Sequence, residues 1–265
     1  MTDTTTNAFP IRVSAQVGPQ LSPFAQQRAT WIAADELGAD AIFTWDHFFP
    51  SIPGADPAGT NFEAYMLMSA MAEVTERAQI GALVTGNGYR NPNLQADMAR
   101  TIDHISGGRF IFGIGSGWME RDYLEYGFEL GTPGSRLKDL ALNLPIIKER
   151  FTKLNPGPVN GTIPILIGGS GEKVTLRLVA EHADMWHTSG EVEKIAQKSA
   201  VLDEWCAQLG RDPRTVERSI SMTPELVDRI EDYITLGATH FVVNHTGPEH
   251  DLGFLRELIQ WRDAR

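Results

Sequence analysis

The chain has 265 residues, 42% of them hydrophobic, and a formal net charge of −11, enough apolar material for one α/β barrel or two small domains. The acidic balance argues against nucleic acid and against an anionic membrane surface as partners. No apolar run reaches bilayer-spanning length, residues 1–7 lack the pattern of a signal peptide, and Cys206 is the single cysteine, so a soluble cytoplasmic protein without disulfides is expected.

Strand-like and helix-like segments alternate along the chain. Strands are predicted at 12–17, 41–44, 79–84, 110–114, 164–167, 184–187, 218–221 and 239–244. Between them, Ser22-Pro23 places a proline at a helix start, and Gly38 and Gly237 stand at helix ends. Leu94, Met98, Ile102 and Ile105 fall on one predicted helical face. The same holds for Val174 with Leu178, for Val192, Ile195, Leu202 and Leu209, and for Leu255, Leu258 and Ile259. Cys206 shares the spacing of Leu202 and Leu209 and reads as packing. The seventh strand is the weakest, because Ser219 and Ser221 interrupt it and Pro224 follows. The Pro/Gly-rich stretch 154–161 reads as a loop rather than a domain boundary. Eight βα units in about 250 residues match a (β/α)8 TIM barrel, with a doubly wound open sheet as the alternative. The expected layout is a disordered tail at 1–10 and a single domain at 11–265.

Barrel enzymes carry their chemistry at the C-terminal ends of the strands. The most informative of those ends follows 110–114, an apolar run that opens into Gly113, Gly115 and Gly117 and then Trp118. Three glycines would leave bare backbone for a flat ligand or a phosphate. The pattern is not G-x-G-x-x-G, since its sixth place is Trp118. Other ends present Gln16, Trp45-Asp46-His47, Thr85-Gly86-Asn87 with Arg90-Asn91-Pro92, Glu120, Gly168-Gly169-Ser170-Gly171, Trp186-His187-Thr188-Ser189 and Asn244-His245. Backbone amides of Gly168-Gly169-Ser170-Gly171 leading straight into a helix would make an anion site, or else only a tight turn. Asp46-His47 suits proton transfer or hydrogen bonding to a polar heterocycle. The alternative is a capping Asp46 and a His47 packed on Phe48 and Phe49. No H-x-H or H-E-x-x-H spacing and no G-x-S-x-G elbow occurs, so neither a metal site nor a serine nucleophile is expected. His104 and His182 fall within helical patterns and read as structural.

Together, these pieces resemble the bacterial luciferase-like monooxygenase superfamily, and within it the oxidoreductases that depend on the deazaflavin coenzyme F420. The resemblance is carried by Thr44-Trp45-Asp46-His47-Phe48, by 80–85 with Arg90-Asn91-Pro92, by 103–118, by Pro164-Ile165-Leu166-Ile167-Gly168-Gly169 and by Ala183-Asp184-Met185-Trp186. It implies a (β/α)8 barrel with a reduced insertion before the fifth strand and a deazaflavin lying across the strand ends. Asp46 and His47 would meet the ring, and a non-proline cis peptide at Leu83–Val84, beside Thr85, would support it. Gly168, Gly169 and Ser170 would take the phosphate, with His187 and Thr188 beside them. His47 is then the first candidate for the proton partner and Glu120 the second, although Trp118 stands where some relatives place an acid. Trp45, Phe49, Phe62, Trp118 and Trp186 are expected pocket walls, and Arg90 and Arg136 the expected cations for an acidic cofactor tail. The implied activity is hydride transfer between F420 and a small organic substrate by a homodimer. An FMN-dependent monooxygenase and a non-catalytic cofactor-binding protein are the alternatives.

Overall fold

Parallel strands buried on both faces need helices around them, and almost every strand here is followed by one. A computed structural model describes residues 9–265. The tail expected at 1–10 thus falls mostly outside the described residues, and Phe9 and Pro10 lead into the first strand. The elements are β1 (Arg12–Val17), α1 (Phe24–Leu37), β2 (Ala41–Thr44), α2 (Ala64–Val74), β3 (Gln79–Ala82), β4 (Thr85–Gly86), α3 (Pro92–Ile105), β5 (Phe110–Gly115) and α4 (Glu120–Tyr126). They continue with α5 (Pro133–Lys153), β6 (Ile165–Gly168), α6 (Thr175–His182), β7 (Met185–Thr188), α7 (Val192–Gln208), β8 (Glu217–Met222), α8 (Ile230–Thr235), β9 (Ala238–His245) and α9 (Gly253–Asp263). No described helix is long and apolar enough to cross a membrane.

The strands run β3-β2-β1-β9-β8-β7-β6-β5-β4, and a β3–β5 pairing closes the ring. Ile80 pairs with Phe110 and Thr85 with Ile114, so β3 and β4 are two pieces of one barrel position. The result is an eight-position (β/α)8 barrel rather than an open sheet. The break between the two pieces is Leu83–Val84, whose peptide bond is cis. Gln16 Nε2 donates to the Leu83 carbonyl at 2.7 Å, and Leu83 N–H donates to the Thr44 carbonyl at 2.7 Å, so neighbouring strands hold the break in place.

Outward-facing strand residues such as Val13, Ile42, Ile80 and Phe112 pack under the helices. Inside the barrel, Ala41, Phe43, Leu83, Ile111, Leu166, Met185 and Val242 form an apolar half. The other half is polar, and most of its groups are paired with one another. Arg12 donates to Glu217 at 2.9 Å, Ser14 Oγ lies 2.6 Å from His240 Nε2, and His187 meets Ser219 at 2.9 Å and Ser221 at 3.1 Å. Ser219 and Ser221, which weaken β8 as a pattern, therefore serve as partners for an interior histidine.

Three helical faces differ from expectation. On α3, Leu94 and Ile105 are exposed, and the buried face is Gln95, Ala96, Ala99, Ile102 and Asp103. Alanines at 96 and 99 let the helix lie close to the sheet, and its larger apolar residues are left outside. Val174 and Leu209 are exposed as well.

Buried histidines make stability depend on pH. Burial holds His240 well below its ordinary value of 6.5 and brings His245 down to about 4. Below pH 6.5 the unfolded chain takes up protons that these native imidazoles refuse, so stability is lost on acidification. The loss is up to about 1.4 kcal/mol per pH unit for each group. Urea unfolding between pH 7 and pH 4 is expected to show this fall, with a shallower slope in a His245→Asn variant. Equal slopes in the two proteins would contradict the assignment.

Candidate active site

A cleft of about 390 Å³ lies across the C-terminal ends of the strands, within the range of small-ligand sites. It is bordered by Asp46, His47, Leu83, Val84, Thr85, Gly168, Gly169, Ser170, His187 and Thr188, all expected from the sequence. Glu120 is not on it. That residue opens α4 and is exposed.

The acid that reaches the site is Asp122. A step of two residues along a helix turns a side chain through about 200°, so Asp122 and Tyr123 point inward, both fully buried, while Glu120 points out. Asp122 Oδ2 lies 2.7 Å from His47 Nδ1 and 2.8 Å from the Tyr89 hydroxyl, and its Oδ1 accepts the Phe48 N–H at 3.1 Å. A carboxylate can only accept here, which assigns the imidazole proton to Nδ1 and leaves Nε2 as the basic nitrogen. Burial, reinforced by Asp122, raises the Tyr89 phenol above its ordinary range, so it stays protonated and donates. Phe48 stacks on Tyr126 with ring centroids 4.2 Å apart, and Trp118 meets His47 edge-on at 5.2 Å. An inward reading of the Asp122-Tyr123 face of α4 is the signal that identifies this partner.

Asp46 has a different role from His47. It is buried, and both its oxygens are taken: Arg90 reaches Oδ2 at 2.5 Å and Oδ1 at 3.2 Å, and the Thr85 hydroxyl also donates to Oδ2. Arg90 further pairs with Glu63 and lies 4.4 Å over the Tyr65 ring. Burial opposes its charge, but Asp46 and Glu63 outweigh that and raise its pKa. Arg90 is thus an internal strut and not an outward cation for an acidic tail. Arg136 is committed too, donating to the Gly117 and Leu130 carbonyls at 3.0 Å each.

The glycines are explained by what lies beside them. A Cβ on Gly113 would stand 1.9 Å from the Ala82 carbonyl oxygen. One on Gly115 would meet Val84 at 2.8 Å, and one on Gly168 would meet Val84 at 3.0 Å. These positions are cleared for the break at Leu83–Val84, whose side chains then form an apolar floor. Only Gly115 and Gly117 of the glycine loop border the cleft, with Ser116 between them.

The turn after β6 departs from the expected geometry. α6 begins at Thr175, one turn beyond Gly171, so Gly168–Gly171 does not lead straight into a helix N-terminus. Gly169 N–H donates to the His187 carbonyl at 3.0 Å, and Trp186 Nε1 donates to the Gly169 carbonyl at 2.7 Å. Trp186 is buried beneath this turn and is not a cleft wall; Phe49 and Phe62 also lie off the cleft, and Trp45 and Trp118 border it. Burial lowers His187 to about 3, so at neutral pH it is an uncharged lining residue. Lys194 of α7 also borders the cleft, a cation absent from the sequence-based site.

The structure is thus a parallel (β/α)8 barrel with a cleft and a carboxylate-held histidine at its strand ends. The family model for luciferase-like monooxygenases matches residues 6–241, and the chain belongs to that family. An uncharacterized protein of Mycobacterium tuberculosis is 26% identical over 192 residues, 67% of each chain. An F420-dependent glucose-6-phosphate dehydrogenase of Amycolatopsis mediterranei is 33% identical over 125 residues, 47% of this chain and 37% of that enzyme's length. Among solved structures, an F420-dependent secondary alcohol dehydrogenase in complex with an F420-acetone adduct superposes with a TM-score of 0.82. At 14% identity, covering 95% of this chain and 98% of the other, that likeness is one of fold.

Proposed function

We propose that this protein is an F420-dependent oxidoreductase transferring hydride between the deazaflavin and a small alcohol or carbonyl compound. The observation that carries the reading is His47, fixed by Asp122 at the rim of an apolar-floored cleft. The residues present suit a flat ring: Leu83 and Val84 supply a platform, Gly115 and Gly168 lie close against Val84 and add no side chain over it, and Trp45 Nε1 is a buried donor without a partner among the described residues. The names of the Amycolatopsis enzyme and the alcohol dehydrogenase support F420 and an alcohol–carbonyl pair.

F420, when bound, supplies the hydride chemistry. The protein's part is to hold the ring on the Leu83–Val84 floor and to manage one proton. Asp122 keeps Nδ1 protonated, so Nε2 can take a proton from an alcohol or, once protonated, give it to a carbonyl oxygen. The buried carboxylate stabilises the imidazolium while that proton is held, and Trp118 shields one edge of His47. We further propose a homodimer through α2 and α3, supported by the exposed Met66 and Leu94; light scattering at the monomer mass would contradict it.

The test is anaerobic turnover of F420 with alcohols, and of reduced F420 with ketones, aldehydes, imines and activated alkenes, followed by deazaflavin absorbance. Cofactor oxidation or reduction without oxygen is expected. The family description favours one second reading, an FMN-dependent monooxygenase, which predicts oxygen-dependent turnover of reduced FMN instead.

A further inference from the structure

We infer that Lys194 anchors the phosphate of the ligand bound in this cleft. The inference rests on the deazaflavin reading and adds a residue that the Gly168–Ser170 turn alone does not supply. His47 and Trp118 border the cleft, and so do Ser170, Thr188, Ser189 and Lys194. Among the described residues Lys194 is the only lysine or arginine bordering the cleft, in a chain of net charge −11.

Its ammonium is left available by the pairing around it. Glu193 is taken by Arg229 at 2.8 Å and Glu172 by Lys198 at 2.6 Å, whereas Lys194 forms no ion pair among the described residues. The backbone is shaped to let it reach inward. Gly190 sits at φ +136°, and a Cβ there would stand 2.8 Å from Lys194 Cδ and 3.3 Å from Nζ. The Tyr233 hydroxyl, donating to the Gly190 carbonyl at 2.9 Å, fixes this turn. A lysine stem laid against a glycine brings a cation to a cleft that three hydroxyl-bearing residues also border, a set suited to an anion. A phosphate accepts from such groups as no uncharged substituent of the ring can.

Two probes that differ only in the phosphate test this: the deazaflavin ring with its ribityl chain, and the 5′-phosphate of that compound. Binding to the purified protein is followed by fluorescence titration. Wild type is expected to prefer the phosphate, with a preference that falls as salt is raised. Lys194→Gln should weaken the phosphate probe about tenfold and leave the phosphate-free probe within about twofold, while Lys194→Arg retains most of the difference. Lys194 is exposed, so these variants should fold. Equal affinity of wild type for the two probes, or a glutamine variant that keeps the full preference, overturns the inference and leaves the deazaflavin reading standing. Binding of neither probe overturns both.

Discussion

His47→Ala is expected to lower turnover by about 10²-fold or more and to change cofactor affinity only a few-fold, because its main task is the proton and not the ring. Asp122→Asn should produce much of the same loss. The carboxylate accepts from three donors, His47 Nδ1, the Tyr89 hydroxyl and the Phe48 N–H. An amide has one acceptor oxygen, so its NH2 must face at least one of those donors. If it faces His47, the proton moves to Nε2 and the base is lost. The pH–rate profile should shift in Asp122→Asn, which a purely structural defect would not cause. Glu120→Gln, on the exposed side of α4, should retain near-normal turnover. A large loss in Glu120→Gln with a mild one in Asp122→Asn would reverse the assignment.

The second large effect concerns stability. Gly113→Ala places a methyl 1.9 Å from the Ala82 backbone oxygen, at a point where both strands are locked into the barrel. No flexible side chain is present to yield, so the cost should be about 3 kcal/mol or more, or outright failure to fold. Gly107→Ala is the control. Its φ of +67° strains an alanine, but nothing lies within 4 Å of the added carbon, and the expected cost is about 1 kcal/mol. Urea midpoints of the two variants decide it, and equal destabilisation would show that the close approach does not matter.

These two cases also mark how far the sequence could be read. All eight barrel positions were legible, because a run such as 110–114, apolar on both faces, has few other fates, but Thr85–Gly86, read as following the third strand, is a short strand of its own. The break at Leu83–Val84 was legible through the family resemblance, and so was the set of residues around the cleft. What escaped depends on contacts distant in sequence. Arg90 looks like a solvated cation until Asp46 and Glu63 are seen closing around it. The His47–Asp122 bond joins residues 75 positions apart, and no local pattern announces it. Glu120 was the acid named from the sequence, whereas the turn of α4 puts Asp122, which the sequence did not single out, on the inward face. The apolar stripe of α3 was misread because alanines, not leucines, sit against the sheet. Lys194 went unnoticed because no local pattern places a helix residue at the cleft.

The most direct measurement is parallel titration of the purified protein with F420 and with FMN, followed by fluorescence or calorimetry. Saturable F420 binding at about micromolar Kd or tighter is predicted, with FMN at least about tenfold weaker. Tight retention of FMN together with no binding of F420 would contradict the account.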